Sequence, residues 1–161
     1  MEPAILDTQA VFDKFPEEPA LKALAELAVA AKYDREELTV TVARENIVAA
    51  CQAVRAVGYN FFEDVTAVDW YPSEPRFQLS YSLLSFSLKR RLRLAVRLAG
   101  DDAAIDSITP VWPAANFYER EVFDLFGIHF GGHPNLRRIM MPDDWPGHPL
   151  RKDYPVTGER Y

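Results

Sequence analysis

The chain has 161 residues, 48% hydrophobic and 26% charged, enough for one ordinary globular core and too few for two full domains. Its net charge of −6 is uneven: residues 1–75 carry 14 acids and 6 bases, a balance of −8, while residues 76–161 carry 10 acids and 12 bases, a balance of +2. The acidic front half excludes a broad nucleic-acid surface, and no apolar run reaches the roughly 20 residues of a membrane span.

Met1 to Asp7 has no basic-then-apolar secretory pattern. Residues 20–32 (ALKALAELAVAAK) place Leu21, Leu24, Leu27 and Ala31 on one helical face, with Pro19 at the first helical position. Leu38, Val40 and Val42 alternate with Thr39 and Thr41 and predict a half-buried strand over 37–43. A second helix is expected at about 45–57, with Ile47, Cys51 and Val54 inward and Gly58 as its cap. Residues 61–71 read as a strand, and Pro72-Ser73-Glu74-Pro75 as a turn. Residues 76–87 and 91–98 alternate again, joined by a tight turn at Lys89 and Arg90. Residues 100–113 are irregular, and a short helix over 114–126 stops at Gly127. Three consecutive strands with short turns imply an antiparallel meander. The expected fold is α+β: a mixed, mainly antiparallel sheet with helices on one face, loosely ferredoxin-like.

After Gly127 the composition changes. Residues 127–161 hold five of the seven glycines, five of the twelve prolines and all three histidines, together with Leu136, Ile139, Met140, Met141, Trp145, Tyr154 and Tyr161. Proline removes backbone donors and blocks helix and central strand, yet these large apolar groups do not belong to a disordered tail. The chain is therefore expected to divide into an α+β domain (1–126) and an extended tail (127–161), which must drape over its own body or a neighbour. Gly132-His133-Pro134-Asn135-Leu136-Arg137-Arg138 is echoed by Gly147-His148-Pro149-Leu150-Arg151-Lys152. Each copy offers a histidine held extended by the next proline, a leucine anchor and two cations.

The chemical signals are modest. Glu119, Arg120, Glu121 and Asp124 suit either an acid–base site or, more simply, a solvated helix face with an Arg120–Asp124 pair. His129 and His133 have helical metal-ligand spacing, but Gly131 and Gly132 lie between them and no second cysteine completes a zinc set. Lone Cys51 can make neither an internal disulfide nor the ligand set of an iron–sulfur cluster; it fits a reducing compartment and reads as a small buried hydrophobe. Arg91, Arg93 and Arg97, with Lys89 and Arg90, suit an exposed strand face that discourages edge-to-edge association; an anion grip or an acidic neighbouring subunit is the alternative. Phe61, Phe62, Trp70, Phe77 and Tyr81 are expected in the core. Arg137, Arg138, Arg151 and Lys152 sit beside apolar anchors and suit carboxylate pairing across an interface.

Glu119-Arg120-Glu121-Val122-Phe123-Asp124-Leu125-Phe126-Gly127-Ile128, then Gly132-His133-Pro134, Leu136-Arg137-Arg138-Ile139, Trp145 and Gly147-His148-Pro149-Leu150-Arg151-Lys152-Asp153-Tyr154-Pro155 closely resemble the 30 kDa subunit family of respiratory complex I, the proton-pumping NADH:quinone oxidoreductase. Weaker matches at Val65–Asp69, Tyr81–Ser85 and Ser107–Asn116 extend the resemblance over most of the chain. It implies a peripheral subunit of the hydrophilic arm, on the cytoplasmic side of the bacterial cell membrane, in a short, stand-alone form with neither a fused subunit nor a transit segment. It implies no cofactor in this chain, with FMN, iron–sulfur clusters and quinone held by partner subunits. Its tail would brace cluster-bearing and quinone-site neighbours through Leu136, Ile139, Trp145, Leu150 and Tyr154 and through Arg137, Arg138, Arg151 and Lys152, with Glu119, Arg120, Glu121, Asp124 and the histidines His133 and His148 at the same interface. Two other readings are a scaffold in a membrane-bound hydrogenase or formate-oxidising complex, and, remotely, a hydrolase built on Glu119, Glu121 and His133.

Overall fold

The structure, a computed structural model, describes residues 8–155 and 157; the expectations for Met1 to Asp7 and for Tyr161 lie outside them. Helices α1 (Thr8–Lys14) and α2 (Pro19–Leu24) lead into strands β1 (Ala28–Asp34) and β2 (Glu37–Val42). A 3-10 turn (Arg44–Asn46) and α3 (Ile47–Ala56) precede β3 (Phe61–Asp69), β4 (Phe77–Ser85) and β5 (Arg90–Leu98). Strand β6 (Ala104–Asp106), α4 (Ala115–Phe126) and β7 (His129–Gly131) follow.

The main sheet has the order β1-β2-β5-β4-β3. The meander β3-β4-β5 is antiparallel throughout, and α3 carries the chain across so that β2 and β5 pair in parallel. Phe77, Leu79, Tyr81 and Leu83 of β4 and Leu92, Leu94, Val96 and Leu98 of β5 are buried on one face, because alternation puts them all on the same side of the pleat. That face meets Ile47, Cys51 and Val54 of α3 and Val122, Leu125 and Phe126 of α4 in one core. Tyr81 is fully buried in that core, within electrostatic reach of Cys51 and Glu119.

Four expectations are corrected. Residues 20–32 are not one helix: α2 ends at Leu24, and Ala28–Asp34 pairs antiparallel with β2, Ala31 opposite Val40. The alanine-rich run favours helix locally, but a hairpin with the strongly β-forming Thr39-Val40-Thr41-Val42 buries Ala31 to 5% exposure and overrides it. The turn is Arg35-Glu36, both at positive φ (51° and 65°), a two-residue loop whose usual Asn or Gly signal is missing. Strand β5 sits inside the sheet, so its arginine stripe guards no edge; Arg91 meets Glu63 and Arg93 meets Glu37 across the solvent face. Phe61 and Trp70 are 46% and 45% exposed rather than core, since they lie on the outer side or end of edge strand β3. Lys89 is in the β4–β5 turn as expected, while Arg90 opens β5.

Candidate functional site

Helix α4 ends where Gly127 turns left-handed at φ 72° and its N–H bonds to the Phe123 carbonyl, 2.8 Å. A helix leaves its last four carbonyls without partners, and here the tail returns to take the remaining three. His148 Nδ1 donates to the Asp124 carbonyl at 2.8 Å, the Leu150 N–H to Leu125 at 3.0 Å, and Arg151 Nε to Phe126 at 2.6 Å. Glycine is required at 127 on a second ground: a Cβ there would stand 2.5 Å from the His148 ring and 2.8 Å from Arg151 Nη2. Burial holds the His148 imidazole below its ordinary pKa, in keeping with a donor aimed at a carbonyl rather than at an acid.

Asp124 is the hub. Fully buried, it accepts three successive backbone N–H groups on Oδ2, from Ile139 (3.0 Å), Met140 (2.8 Å) and Met141 (2.9 Å), and Arg138 Nη1 on Oδ1 at 2.9 Å. Burial pushes its pKa up, but the three N–H groups and Arg138 outweigh that and hold the carboxyl below its usual range. Arg138 Nη2 then donates to the carbonyls of Trp145 (2.9 Å) and Gly147 (3.0 Å). One helical turn earlier, Arg120 donates to the carbonyls of Arg137 and Arg138, both at 3.1 Å. The solvated face with an Arg120–Asp124 pair is therefore corrected: both side chains point inward and serve the tail, with exposures of 8% and 0%.

Glu119 is also fully buried. It accepts Ser107 Oγ at 2.6 Å and the Ile108 N–H at 2.8 Å, and burial raises its pKa to about 7. His133 Nε2 lies 3.8 Å from it and donates to the Asn116 carbonyl at 3.1 Å, while His133 Nδ1 accepts the Asn135 N–H at 3.0 Å. Glu121 is exposed on another face of the helix, so Glu119, Glu121 and His133 do not converge as a hydrolytic site would. His129 is exposed on β7. Among the described residues no group of three or more His, Cys, Asp or Glu is placed to hold a metal. Burial pushes the Cys51 thiol well up, with Glu119 adding to the shift, the behaviour of an inert buried thiol.

A second fastening was not legible beforehand. Arg76, at the start of β4, makes a fork to Asp69 of β3 (2.9 and 2.8 Å) and another to Asp153 of the tail (2.9 and 2.6 Å). Its guanidinium lies 4.9 Å from both the Tyr71 and Phe77 rings, and Arg151 stands 5.2 Å from Phe77. Asp69 Oδ2 also accepts the Lys152 N–H at 2.9 Å. Burial would raise the Asp69 pKa; Arg76 and the backbone donors bring it down to about 2 instead. Residues 69, 76 and 153 are too far apart in sequence for any local pattern to join them.

Of the expected interface residues, Glu119, Arg120, Asp124, Arg138, His148 and Arg151 are engaged within the chain. Leu136 is half-buried against the core. Trp145 Nε1 donates to Tyr154 Oη at 3.0 Å. What faces outward is Ile139 (41% exposed), Met140 (63%) and Leu150 (51%), with Phe117 (61%) on α4. Among the described residues the side chains of Glu121, Arg137 and Lys152 make no ion pair.

An α+β body whose helix end is capped by a returning strap defines the class of protein, and comparison with known proteins supplies the family. Residues 40–160 match the model of the respiratory-chain NADH dehydrogenase 30 Kd subunit. The C subunit of the NADH-quinone oxidoreductase from Geobacter sulfurreducens is 52% identical over 126 residues, 77% of this chain and 78% of that protein. Its counterpart from Roseiflexus castenholzii is 44% identical over 140 residues, 85% and 80%. The solved trypsin-resistant fragment (1-134) of Nqo5 aligns with a TM-score of 0.59 at 35% identity, covering 62% of this chain and 83% of the fragment. A chain of the membrane-bound sulfane sulfur reductase, an archaeal respiratory membrane complex, aligns with a TM-score of 0.75 at 29% identity, covering 88% and 86%. The chain belongs to the 30 kDa subunit family of respiratory-chain NADH dehydrogenase.

Proposed function

We propose that this chain is a cofactor-free structural subunit in the hydrophilic arm of a proton-pumping NADH:quinone oxidoreductase. It lies peripherally on the cytoplasmic side of the bacterial cell membrane and positions cluster-bearing and quinone-site subunits for electron transfer from NADH to quinone. FMN, iron–sulfur clusters and quinone belong to its partners. One observation carries the reading: the strap spends its buried polar groups on its own helix and leaves Ile139, Met140 and Leu150 facing outward. Apolar side chains on a pinned backbone need no backbone ordering on docking, and the cations Arg137 and Lys152 beside them, which make no ion pair among the described residues, suit carboxylates on a neighbour. Such a surface contributes by holding others in place, and misplacement far from a reacting centre can cost about a hundredfold in rate. Among the described residues, no helix is long and apolar enough to cross a membrane.

The test is an Ile139→Asp, Leu150→Asp double variant, purified by affinity from native membranes. The expected result is loss of the flavin- and cluster-bearing subunits and of NADH:quinone activity, with the isolated variant keeping its circular dichroism and melting temperature. Full recovery of subunits and activity would overturn the reading. The likeness to a chain of the sulfane sulfur reductase complex supports a second reading, the same scaffold role in another membrane-bound respiratory complex, such as a hydrogenase or formate-oxidising relative. Co-purified flavin with NADH activity selects the first host and nickel the second.

A further inference from the structure

At one end of the main sheet the β1–β2 turn (Arg35, Glu36) and the β4–β5 turn (Phe86 to Lys89) flank a groove of about 740 Å³, within the range of roughly 300–1,000 Å³ that takes a small organic molecule or a few side chains. Its walls are aromatic: Phe15 and Tyr33, with ring centroids 4.6 Å apart, Tyr59, and Phe86, which is 65% exposed. The polar groups at its base are satisfied. Glu18 accepts Tyr59 Oη at 2.7 Å and pairs with Arg90; Arg91 pairs with Glu63 and Glu37 with Arg93.

What remains is a rim of spare charge, and it is positive. Arg35 and Lys89 make no ion pair among the described residues, and of the acids lining the groove only Glu36 is without an ion pair among those residues; Lys14, just outside the lining, stands 5.5 and 5.7 Å from the Phe15 and Tyr33 rings. Arg35 and Lys89 also hold left-handed backbone, φ 51° and 53°, where glycine or asparagine is the low-strain choice. Long cations thus stand at two turns whose backbone disfavours them. An apolar centre with a charged rim is the layout of a protein interface.

We infer that this groove receives an extended segment of a neighbouring subunit, one carrying an acidic side chain next to an aromatic or aliphatic one. The apolar side chain enters between Phe15, Tyr33 and Phe86, and the carboxylate meets Arg35 and Lys89. The inference rests on the reading of the chain as a subunit, and it places a docking point apart from the strap.

The experiment uses the intact complex purified through the full chain, with p-benzoylphenylalanine in place of Phe86, or in place of Leu150 as the strap reporter. Irradiation and peptide mass spectrometry are expected to yield, at position 86, a partner peptide with Asp or Glu within two residues of the linked site. An Arg35→Glu, Lys89→Glu variant should lower that yield at least tenfold and leave the yield at position 150 unchanged. Circular dichroism checks its fold, and Lys89→Glu alone replaces it if the double variant unfolds. An adduct at 150 without one at 86 overturns the groove and leaves the subunit reading standing. Linkage at 86 to lipid, to a second copy of this chain or to a peptide without an acid also overturns it. Purification with no other subunit would sink both.

Discussion

Asp124 and Arg138 stand 14 residues apart in the chain and 2.9 Å apart in space, and each holds a different length of strap: the aspartate fixes the N–H groups of 139–141, the arginine the carbonyls of 145 and 147. Removing either partner of a buried, hydrogen-bonded pair leaves the other uncompensated, at a cost of about 3–5 kcal/mol. Asp124→Ala is expected to lose stability in that range in urea unfolding. Trypsin should then cut after Arg137, Arg138, Arg151 or Lys152 well before it cuts the body. Equal cleavage of strap and body would show that the pair does not govern attachment.

Arg76→Ala should also be costly, because Asp69 is buried and its charge would lose its fork. About 3 kcal/mol or more is expected. Arg76→Lys should recover only part, since an ammonium cannot form two forks at once. Asp153 is 42% exposed at its side chain, so Asp153→Asn should cost no more than about 1 kcal/mol. An NMR titration gives a second check: the Asp69 pKa, held at about 2, should rise in Arg76→Ala. The stability Asp69 contributes is present above its unfolded value of 3.8 and is lost as pH falls toward 2.

Two glycines with nearly the same φ separate strain from collision. Gly127 and Gly132 have φ 72° and 74°, but a Cβ at 132 meets nothing within 4 Å, while one at 127 meets His148 and Arg151. Gly132→Ala should cost only the left-handed penalty, about 1 kcal/mol. Gly127→Ala should exceed it by at least that much and also release the strap to protease. Comparable melting temperatures for the two would refute the contact.

Glu119 predicts a pH dependence of unusual sign for an acid. Its folded pKa, raised to about 7 from 4.5, means the native state holds a proton that the unfolded state releases. Its contribution is fully present below pH 4.5, falls as pH rises toward 7, and is flat above. The loss is on the order of 3 kcal/mol. Urea unfolding at pH 5 and pH 8 should show that fall in the natural chain, and Glu119→Gln should remove most of it. An unchanged difference would place the titration elsewhere.

The sequence period exposed β2, β4 and β5 well, since Leu92, Leu94, Val96 and Leu98 alternate without exception and one face of that sheet is buried. Strand β1 was hidden because Ala28–Asp34 carries a helical composition and its partner strand decides otherwise. In the motif after Ala115, the residue types were legible but their direction was not: Glu119, Arg120 and Asp124 look like a wet helix face until the strap lies over them. Arg76 left no trace, because its partners lie 7 and 77 positions away and nothing local distinguishes it from a surface arginine. The anchors Ile139 and Leu150 follow from the apolar content of the tail together with the family resemblance, and their exposure follows from a backbone that the sequence does not orient.

The strap is pinned at residues 139–141 by Asp124 and at 152–153 by Asp69 and Arg76, with Pro142, Pro146 and Pro149 between them. A chain tethered at both ends and stiffened in the middle has a fixed contour. Deletion of a single residue over 142–150 therefore strains one mooring, whatever the side chain involved, so this span tolerates exchanges of residue far better than shortening.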